Sequence, residues 1–314
     1  MRVVVVGAGA IGGFIAAALA RVSVPTGVVA RGAHLDAIRE RGLRVQGDLG
    51  EFTARVDAAA DLRELPAADA LLLTFKTHQW PGFLEQLTPY AGSSVPIVTL
   101  QNGVPFWFAR TPPLESVDPG GRIGALFDDE QTIGAVVHVS GHLAEPGLVV
   151  QSGGLRYLLA EANGRNGERV EALAGVLRSA GLEAEVDGDL RRSLWFKLVG
   201  NASLNPVSAA TGMSIGEMMR DAPTLARVRA LMLEVLEVGR ALGLVGDVER
   251  EADARIAYAA RLDDVKTSML QDAQAGRSLE LDPILGATIE LAERSGIDVP
   301  QLRAIDAQLR AIVA

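Results

Sequence analysis

Residues 3–12 read VVVVGAGAIG, and this stretch decides the fold that we expect for the first half of the chain. Four consecutive valines predict a strand buried on both faces, as strands of a parallel sheet are. An alanine-rich segment follows the glycines and predicts a helix over residues 11–20. A strand, a tight glycine turn and a helix N-terminus favour a dinucleotide site, because free N–H groups there can bind a pyrophosphate. The predicted contacts are Gly7, Ala8, Gly9, Ala10, Ile11 and Gly12.

The same uncharged run, residues 3–20, also resembles a signal peptide or a short membrane span. The glycines at positions 7, 9, 12 and 13 argue against that interpretation. Each is disfavoured by about 1 kcal/mol relative to alanine in a helix interior. We therefore expect a soluble, cytoplasmic protein that does not associate with a membrane.

Predicted strands and helices alternate beyond this motif. Further buried strands are expected at 26–30, 70–74 and 96–100. A helix is expected at 34–41, and another follows the 70–74 strand and ends at about residue 87. Alternation of this kind predicts βαβ units in a doubly wound sheet. Residues 122–160 are rich in β-forming segments, and a helix is expected at 168–179. We predict an α/β Rossmann-like dinucleotide-binding domain over residues 1–187.

The sequence of the remainder, residues 188–314, predicts an all-α helical domain, and we expect this domain to carry the substrate site. The expected helices are 189–205, 215–220, 222–242, 252–275 and 283–294. For the last of these, Asp282 is the expected N-cap and Pro283 the first helical residue.

Composition excludes several classes of function. The net charge is -9 and the basic residues are dispersed, which argues against nucleic acid as a partner. The absence of cysteine excludes disulfides, thiolate catalysis and zinc–thiolate sites. The four histidines are scattered and have no carboxylate motif beside them, so no metal site is expected.

Arg31 follows the second predicted strand, where a fold that binds NAD usually places an acid. A guanidinium at that position suits the 2′-phosphate of NADP(H), although a solvated surface arginine is the alternative. Lys76 and Asn102 follow two other predicted strands. The carboxyl ends of such strands form the ligand-binding edge of an open sheet, but either residue could instead be part of a turn.

In the helical half, Lys197, Asn201 and Asn205 recur every four residues. They share one helix face within an otherwise apolar segment, which indicates polar groups that face an internal cleft. The alternative is a buried hydrogen-bond network between the domains. Ser268 shares a helix face with Asp272 further along the chain. Glu280, before the 283–294 helix, would not be selected by its pattern alone.

Taken together, the motifs GAGAIG, F-K at Lys76, QNG at Asn102, K-x-x-x-N-x-x-x-N-P from Lys197, SMLQD at Ser268 and E-x-D at Glu280 resemble the ketopantoate reductase family, in the family's order. The resemblance implies a Rossmann domain joined to a helical domain with the active site in the cleft between them. It also implies NADPH-dependent reduction of 2-dehydropantoate to (R)-pantoate, a step toward pantothenate and coenzyme A. By this resemblance Lys197 is the general acid and Glu280 the substrate-binding acid of the catalytic pair. Substrate or cofactor contacts would come from Asn102, Asn201, Asn205 and Ser268.

The chemistry of these residue types agrees with such roles. Hydride delivery to a ketone leaves an alkoxide, and a partly buried lysine can protonate it because burial lowers its pKa. Asparagines orient a substrate without competing for the proton.

The segment 104–108, VPFWF, departs from the pattern of the family; it either packs in a core or lines the pocket and alters specificity.

Two alternative functions remain open. One is a related reductase of another 2-keto or β-hydroxy acid, and the other is a non-catalytic NADP(H)-binding sensor. The chain is also compatible with a homodimer.

Overall fold

A computed structural model describes residues 1–263 and 265–313 of the chain. The chain divides into two compact units, one formed by Met1–Gln101 with Arg122–Leu190 and the other by Asn102–Gly121 with the residues from Arg191 onward. The first unit has a Rossmann-like mixed sheet and the second is helical, which confirms the predicted fold class.

A ten-stranded sheet forms the centre of the first unit. Its strands are β1 (Val3–Val6), β2 (Thr26–Val29), β3 (Leu43–Gln46), β4 (Phe52–Ala54), β5 (Asp57–Ala59), β6 (Ala70–Leu73), β7 (Ile97–Thr99), β8 (Thr132–Glu145), β9 (Leu148–Glu161) and β10 (Glu183–Val186). They lie in the order β4-β3-β9-β8-β7-β6-β1-β2-β5, with β10 also beside β9. The valine strand β1 is parallel to β2 and β6 on either side and is fully buried, as predicted.

Five helices belong to this unit: α1 (Ala10–Arg21), α2 (Gly32–Arg41), α3 (Leu84–Leu87), α4 (Arg122–Leu126) and α5 (Glu168–Ser179). The buried faces of α1 and α5 pack with the sheet in one apolar core. The single helix expected to run to residue 87 is wrong. A 3-10 segment, Thr77–Gly82, occupies the first part of that range, and Pro81 within it has no N–H to donate to a continuous α-helix.

The second unit contains α6 (Leu190–Thr211), α7 (Ile215–Arg220), α8 (Ala222–Ala241), α9 (Val248–Ala259), α10 (Ser268–Gln274), α11 (Ala287–Arg294) and α12 (Pro300–Val313). The prediction of one helix over 252–275 is wrong, because α9 ends at Ala259 and α10 begins at Ser268. The intervening chain accepts hydrogen bonds from the start of α7, where the N–H of Gly216 lies 2.8 Å from the carbonyl oxygen of Asp263.

Two predicted helix ends also differ. Helix α6 does not stop at 205 but continues through Pro206, which removes only one backbone donor while Val207 beside it is fully buried. Asp282 is not an N-cap, because Leu281 occupies that position and residues Asp282–Gly286 form a π-helical turn. The Asp282 carboxylate pairs with Arg310 at 2.8 Å instead.

Within residues 1–263 and 265–313, no helix combines the length and the apolar character needed to span a membrane.

Candidate functional site

The glycine turn between β1 and α1 leaves no room for side chains at two of its positions. Gly7 has φ +104°, a conformation that L side chains rarely adopt. A Cβ atom on Gly12 would lie 2.3 Å from both the carbonyl oxygen of Gly7 and the hydroxyl oxygen of Thr74. A Cβ on Gly9, by contrast, would have no atom within 4 Å. The turn is therefore tightly packed at its first and third glycines and open at the second.

The start of α1 carries the partial positive charge that attracts an anion. Gly9 is the N-cap and provides no side-chain cap, and the first turn contains no acidic residue. Gly13 donates to the carbonyl oxygen of Gly9 at 2.7 Å, so the N–H groups of the three residues before it precede the first intrahelical bond. Free donors, the positive end of the helix dipole and the open space at Gly9 together fit the pyrophosphate of a dinucleotide.

His34, on α2, holds this turn in place. Its Nδ1 accepts a hydrogen bond from the N–H of Gly147 at 2.9 Å, so its Nε2 carries the proton that is donated to the carbonyl oxygen of Ala8 at 2.7 Å. Burial lowers the pKa of the imidazole, which favours this neutral form. His34 has no signature in the sequence, because its two partners are backbone atoms that no residue pattern indicates.

The two predicted cations of the first unit follow strands that flank β1. Arg31 follows β2 and is exposed, and its guanidinium carbon lies 4.7 Å from the ring centroid of Phe83. Lys76 follows β6 and begins the 3-10 segment, with its N–H donating to Gln79 Oε1 at 3.0 Å. Both residues therefore lie at the edge of the sheet that carries the glycine turn.

In the second unit, three of the predicted residues form a continuous hydrogen-bonded chain. Lys197 Nζ donates to Asn102 Oδ1 at 2.8 Å, and Asn102 Nδ2 donates to Glu280 Oε2 at 3.3 Å. An ammonium group can only donate and a carboxylate can only accept, so the orientation of the amide between them is determined.

The surroundings of Lys197 change its acidity. Burial lowers the pKa of the ammonium group to about 8, and the negative charge of Glu280 acts in the opposite direction. A lysine with this pKa is protonated at neutral pH and still able to release its proton. The arrangement can therefore supply a proton to an oxygen on which negative charge develops.

A close backbone contact brings Asn102 to Glu280. Gly103 has φ +81°, and a Cβ atom there would lie 2.3 Å from the carbonyl oxygen of Pro283. The same oxygen accepts a hydrogen bond from the N–H of Val104 at 2.7 Å. The turn after β7 is therefore attached directly to the chain that follows Glu280.

The other three predicted contacts are not part of this chain of hydrogen bonds. Asn201 is partly buried and Asn205 is buried on α6, whereas Ser268 is exposed in the first turn of α10. In the part of the chain that the structure describes, none of the three side chains hydrogen-bonds to Lys197, Asn102 or Glu280.

The aromatic segment after Asn102 is buried within the second unit. Phe106, Trp107 and Phe108 are each at most 4% exposed. The ring of Phe108 stacks on Trp195 with a centroid distance of 5.9 Å. These contacts belong to core packing, the first of the two roles considered for this segment. Among residues 1–263 and 265–313, no group of three or more histidine and acidic side chains could hold a metal ion.

Comparisons with known proteins give one consistent family. The model of the family described as ketopantoate reductase PanE/ApbA matches residues 3–164, and the model of its C-terminal part matches residues 189–313. A protein from Mesorhizobium japonicum named 2-dehydropantoate 2-reductase is 40% identical and aligns over 99% of this chain and 97% of its own. Another with that name, from Archaeoglobus fulgidus, is 29% identical over 95% of this chain and 92% of its own.

Solved structures agree with these sequence matches. The crystal structure of 2-dehydropantoate 2-reductase from Geobacter metallireducens superposes with a TM-score of 0.89 at 28% identity, covering 99% of this chain and all of that one. A D-mandelate dehydrogenase with bound NADH, at 20% identity, shares the fold with a TM-score of 0.84. The chain belongs to the ketopantoate reductase family of pyridine-nucleotide-dependent oxidoreductases.

Proposed function

We propose that this protein is an NADPH-dependent 2-dehydropantoate 2-reductase that forms (R)-pantoate. The observation that carries the proposal is the hydrogen-bonded chain of Lys197, Asn102 and Glu280, in which the lysine has a pKa of about 8. The 40% identity to a relative of that name supports the choice of substrate.

The first unit would bind the nucleotide. The open glycine turn and the N–H groups of Ala10, Ile11 and Gly12 would receive the pyrophosphate, and Arg31 the 2′-phosphate. Lys76 would add a second positive charge at the same edge of the sheet. Bound NADPH supplies the hydride that reduces the keto carbon.

Lys197 would act as the general acid. As the keto carbon accepts the hydride, its oxygen gains negative charge and takes a proton from Lys197 Nζ, which becomes neutral and is reprotonated from water. Asn102 would hold the ammonium group and contact the substrate. Glu280 would accept a hydrogen bond from the distal hydroxyl of 2-dehydropantoate. Asn201, Asn205 and Ser268 would supply further substrate contacts.

Three broader features also belong to this proposal. The nucleotide-binding domain would extend over residues 1–187, apart from the segment Asn102–Gly121 that belongs to the second unit, and the helical domain would extend over residues 188–314. The enzyme would act in the cytoplasm and form a homodimer. Support for the last comes from a structural neighbour from Staphylococcus aureus, 20% identical, which is described as a dimeric ketopantoate reductase. Sedimentation of the purified chain would measure its oligomeric state and so test the proposed homodimer.

The test of the function is the oxidation of NADPH with 2-dehydropantoate and with a panel of other 2-keto acids. The proposal expects the highest kcat/KM with 2-dehydropantoate. Higher values with another acid would make the protein a related reductase. No oxidation with any acid, together with tight NADPH binding, would favour the non-catalytic sensor.

A further inference from the structure

Arg31 lies on an aromatic stack that the proposed reaction does not use. Its guanidinium carbon is 4.7 Å from the ring centroid of Phe83. That ring is stacked on Phe75 with a centroid distance of 4.4 Å and an interplanar angle of 22°. The edge of Trp80 meets Phe75 at 5.1 Å, and Trp80 lies 6.4 Å from Phe127 at the far end of the cluster. All four rings are at most 5% exposed.

The Arg31 guanidinium has no other partner among the described residues. The guanidinium makes no hydrogen bond and no ion pair with any of residues 1–263 and 265–313, and the side chain is exposed. The backbone of Gly82 closes one side, since a Cβ atom there would meet only a terminal nitrogen of Arg31, at 3.7 Å. The guanidinium thus lies over the Phe83 ring, and its N–H groups, which have no partner among the described residues, are available to an anion.

A long exposed side chain normally samples many rotamers, and binding must then overcome the entropy of fixing it. A stack on a buried ring restricts the guanidinium before a ligand arrives, and a planar cation over an aromatic face is attracted by the ring's quadrupole. We propose that Phe83 is a specificity-determining residue: its ring positions Arg31 for the 2′-phosphate and so sets part of the preference for NADPH over NADH. This inference rests on the proposed use of NADPH.

The test measures the dissociation constants of NADPH and NADH, by nicotinamide fluorescence, for the full chain and its variants. Phe83→Leu removes the aromatic face, and Phe127→Leu is the matched control, because it removes a buried ring of the same cluster that does not touch Arg31. We expect Phe83→Leu to lower the NADPH preference by about two- to five-fold, the range of an exposed cation–π contact. Phe127→Leu should leave the preference unchanged. In an Arg31→Ala background, Phe83→Leu should have no further effect on it.

The outcomes separate this inference from the function on which it rests. Equal binding of both nucleotides by the unmodified protein would overturn the proposed cofactor, and the role of Phe83 with it. A preference that Arg31→Ala abolishes and Phe83→Leu leaves intact would overturn the role of Phe83 alone. An equal loss from Phe83→Leu with and without Arg31 would do the same, since the ring would then act by another route. If Phe83→Leu fails to fold, Phe83→Met provides the same comparison with a more adaptable apolar side chain.

Discussion

Lys197 is the proposed proton donor, and its removal should affect the chemical step without affecting nucleotide binding. In Lys197→Ala, turnover should fall by about two orders of magnitude or more, because the variant lacks the proposed general acid for the developing alkoxide. NADPH affinity, measured by fluorescence, should stay nearly unchanged. Lys266→Ala, which removes an exposed lysine of the same unit, is the control and should keep full turnover. A Lys197→Ala protein that retains most of its turnover would show that the residue is peripheral.

Glu280 should make a contribution that depends on the substrate. If its carboxylate accepts a hydrogen bond from the distal hydroxyl, Glu280→Gln should weaken transition-state binding of 2-dehydropantoate by about 1.5–3 kcal/mol. The loss should be small for an analogue with hydrogen in place of that hydroxyl. The ratio of kcat/KM values for the two substrates in both proteins isolates this contact. Equal losses for both substrates would mean that Glu280 does not recognise the hydroxyl.

For single residues, the sequence indicates which side chains are candidates for the site better than it indicates which of them hydrogen-bond to one another. The four-residue spacing of Lys197, Asn201 and Asn205 is visible in one helix, and so could be found from periodicity. The bond from Asn102 to Glu280 joins residues 178 positions apart, and no local pattern indicates it. Glu280 could be named only through the resemblance to a family.

The turn around Gly103 should be intolerant of a side chain for two separable reasons. Gly103→Ala would combine strain at φ +81° with a Cβ atom 2.3 Å from the carbonyl oxygen of Pro283. Gly120→Ala is a matched control, because Gly120 has φ +66° and nothing within 4 Å of its Cβ position. In urea unfolding, both variants should lose about 1–3 kcal/mol from backbone strain, and Gly103→Ala should lose more because of the clash. Equal losses would show that the turn moves away from Pro283 without penalty.

The contact between α2 and the glycine turn should make stability depend on pH. Because the pKa of His34 is lowered in the folded protein, the unfolded chain binds a proton first as pH falls below about 6.5. The stability that neutral His34 provides is therefore present above that pH and is lost as pH falls through its lowered pKa. Urea unfolding at about pH 7.5 and about pH 5.5 should show a larger loss for the natural protein than for His34→Gln, which cannot take up a proton. The same pH dependence in both proteins would contradict this role.

Elements with a strong local signal were predicted and those shaped by tertiary contacts were not. Strand β1 and helices α5 and α7 lie where hydrophobic runs and periodicity indicate them. The short strand β5, with an exposed Asp57, has no such signal. The break between α9 and α10 depends on carbonyl groups that serve the start of α7, so it follows from packing and not from propensity.

For the molecule as a whole, the segment Asn102–Gly121 shows where composition stops being informative. It follows a strand of the first unit yet belongs to the second. Phe108 stacks on Trp195, and the hydroxyl of Ser116 donates to Glu290 at 3.1 Å. These partners are far away in sequence, so the membership of the segment could not be predicted from its residues, whereas the α/β and all-α halves could.

The proposed reduction requires Lys197 to deliver a proton, and the pH dependence of kcat/KM with NADPH and 2-dehydropantoate tests this most directly. Because the pKa of Lys197 is lowered to about 8, kcat/KM should be constant below that pH and fall about tenfold per pH unit above it. The descending limb should be absent from the residual activity of Lys197→Ala. A profile that stays flat to about pH 10, or a limb near pH 8 that survives in Lys197→Ala, would contradict the account.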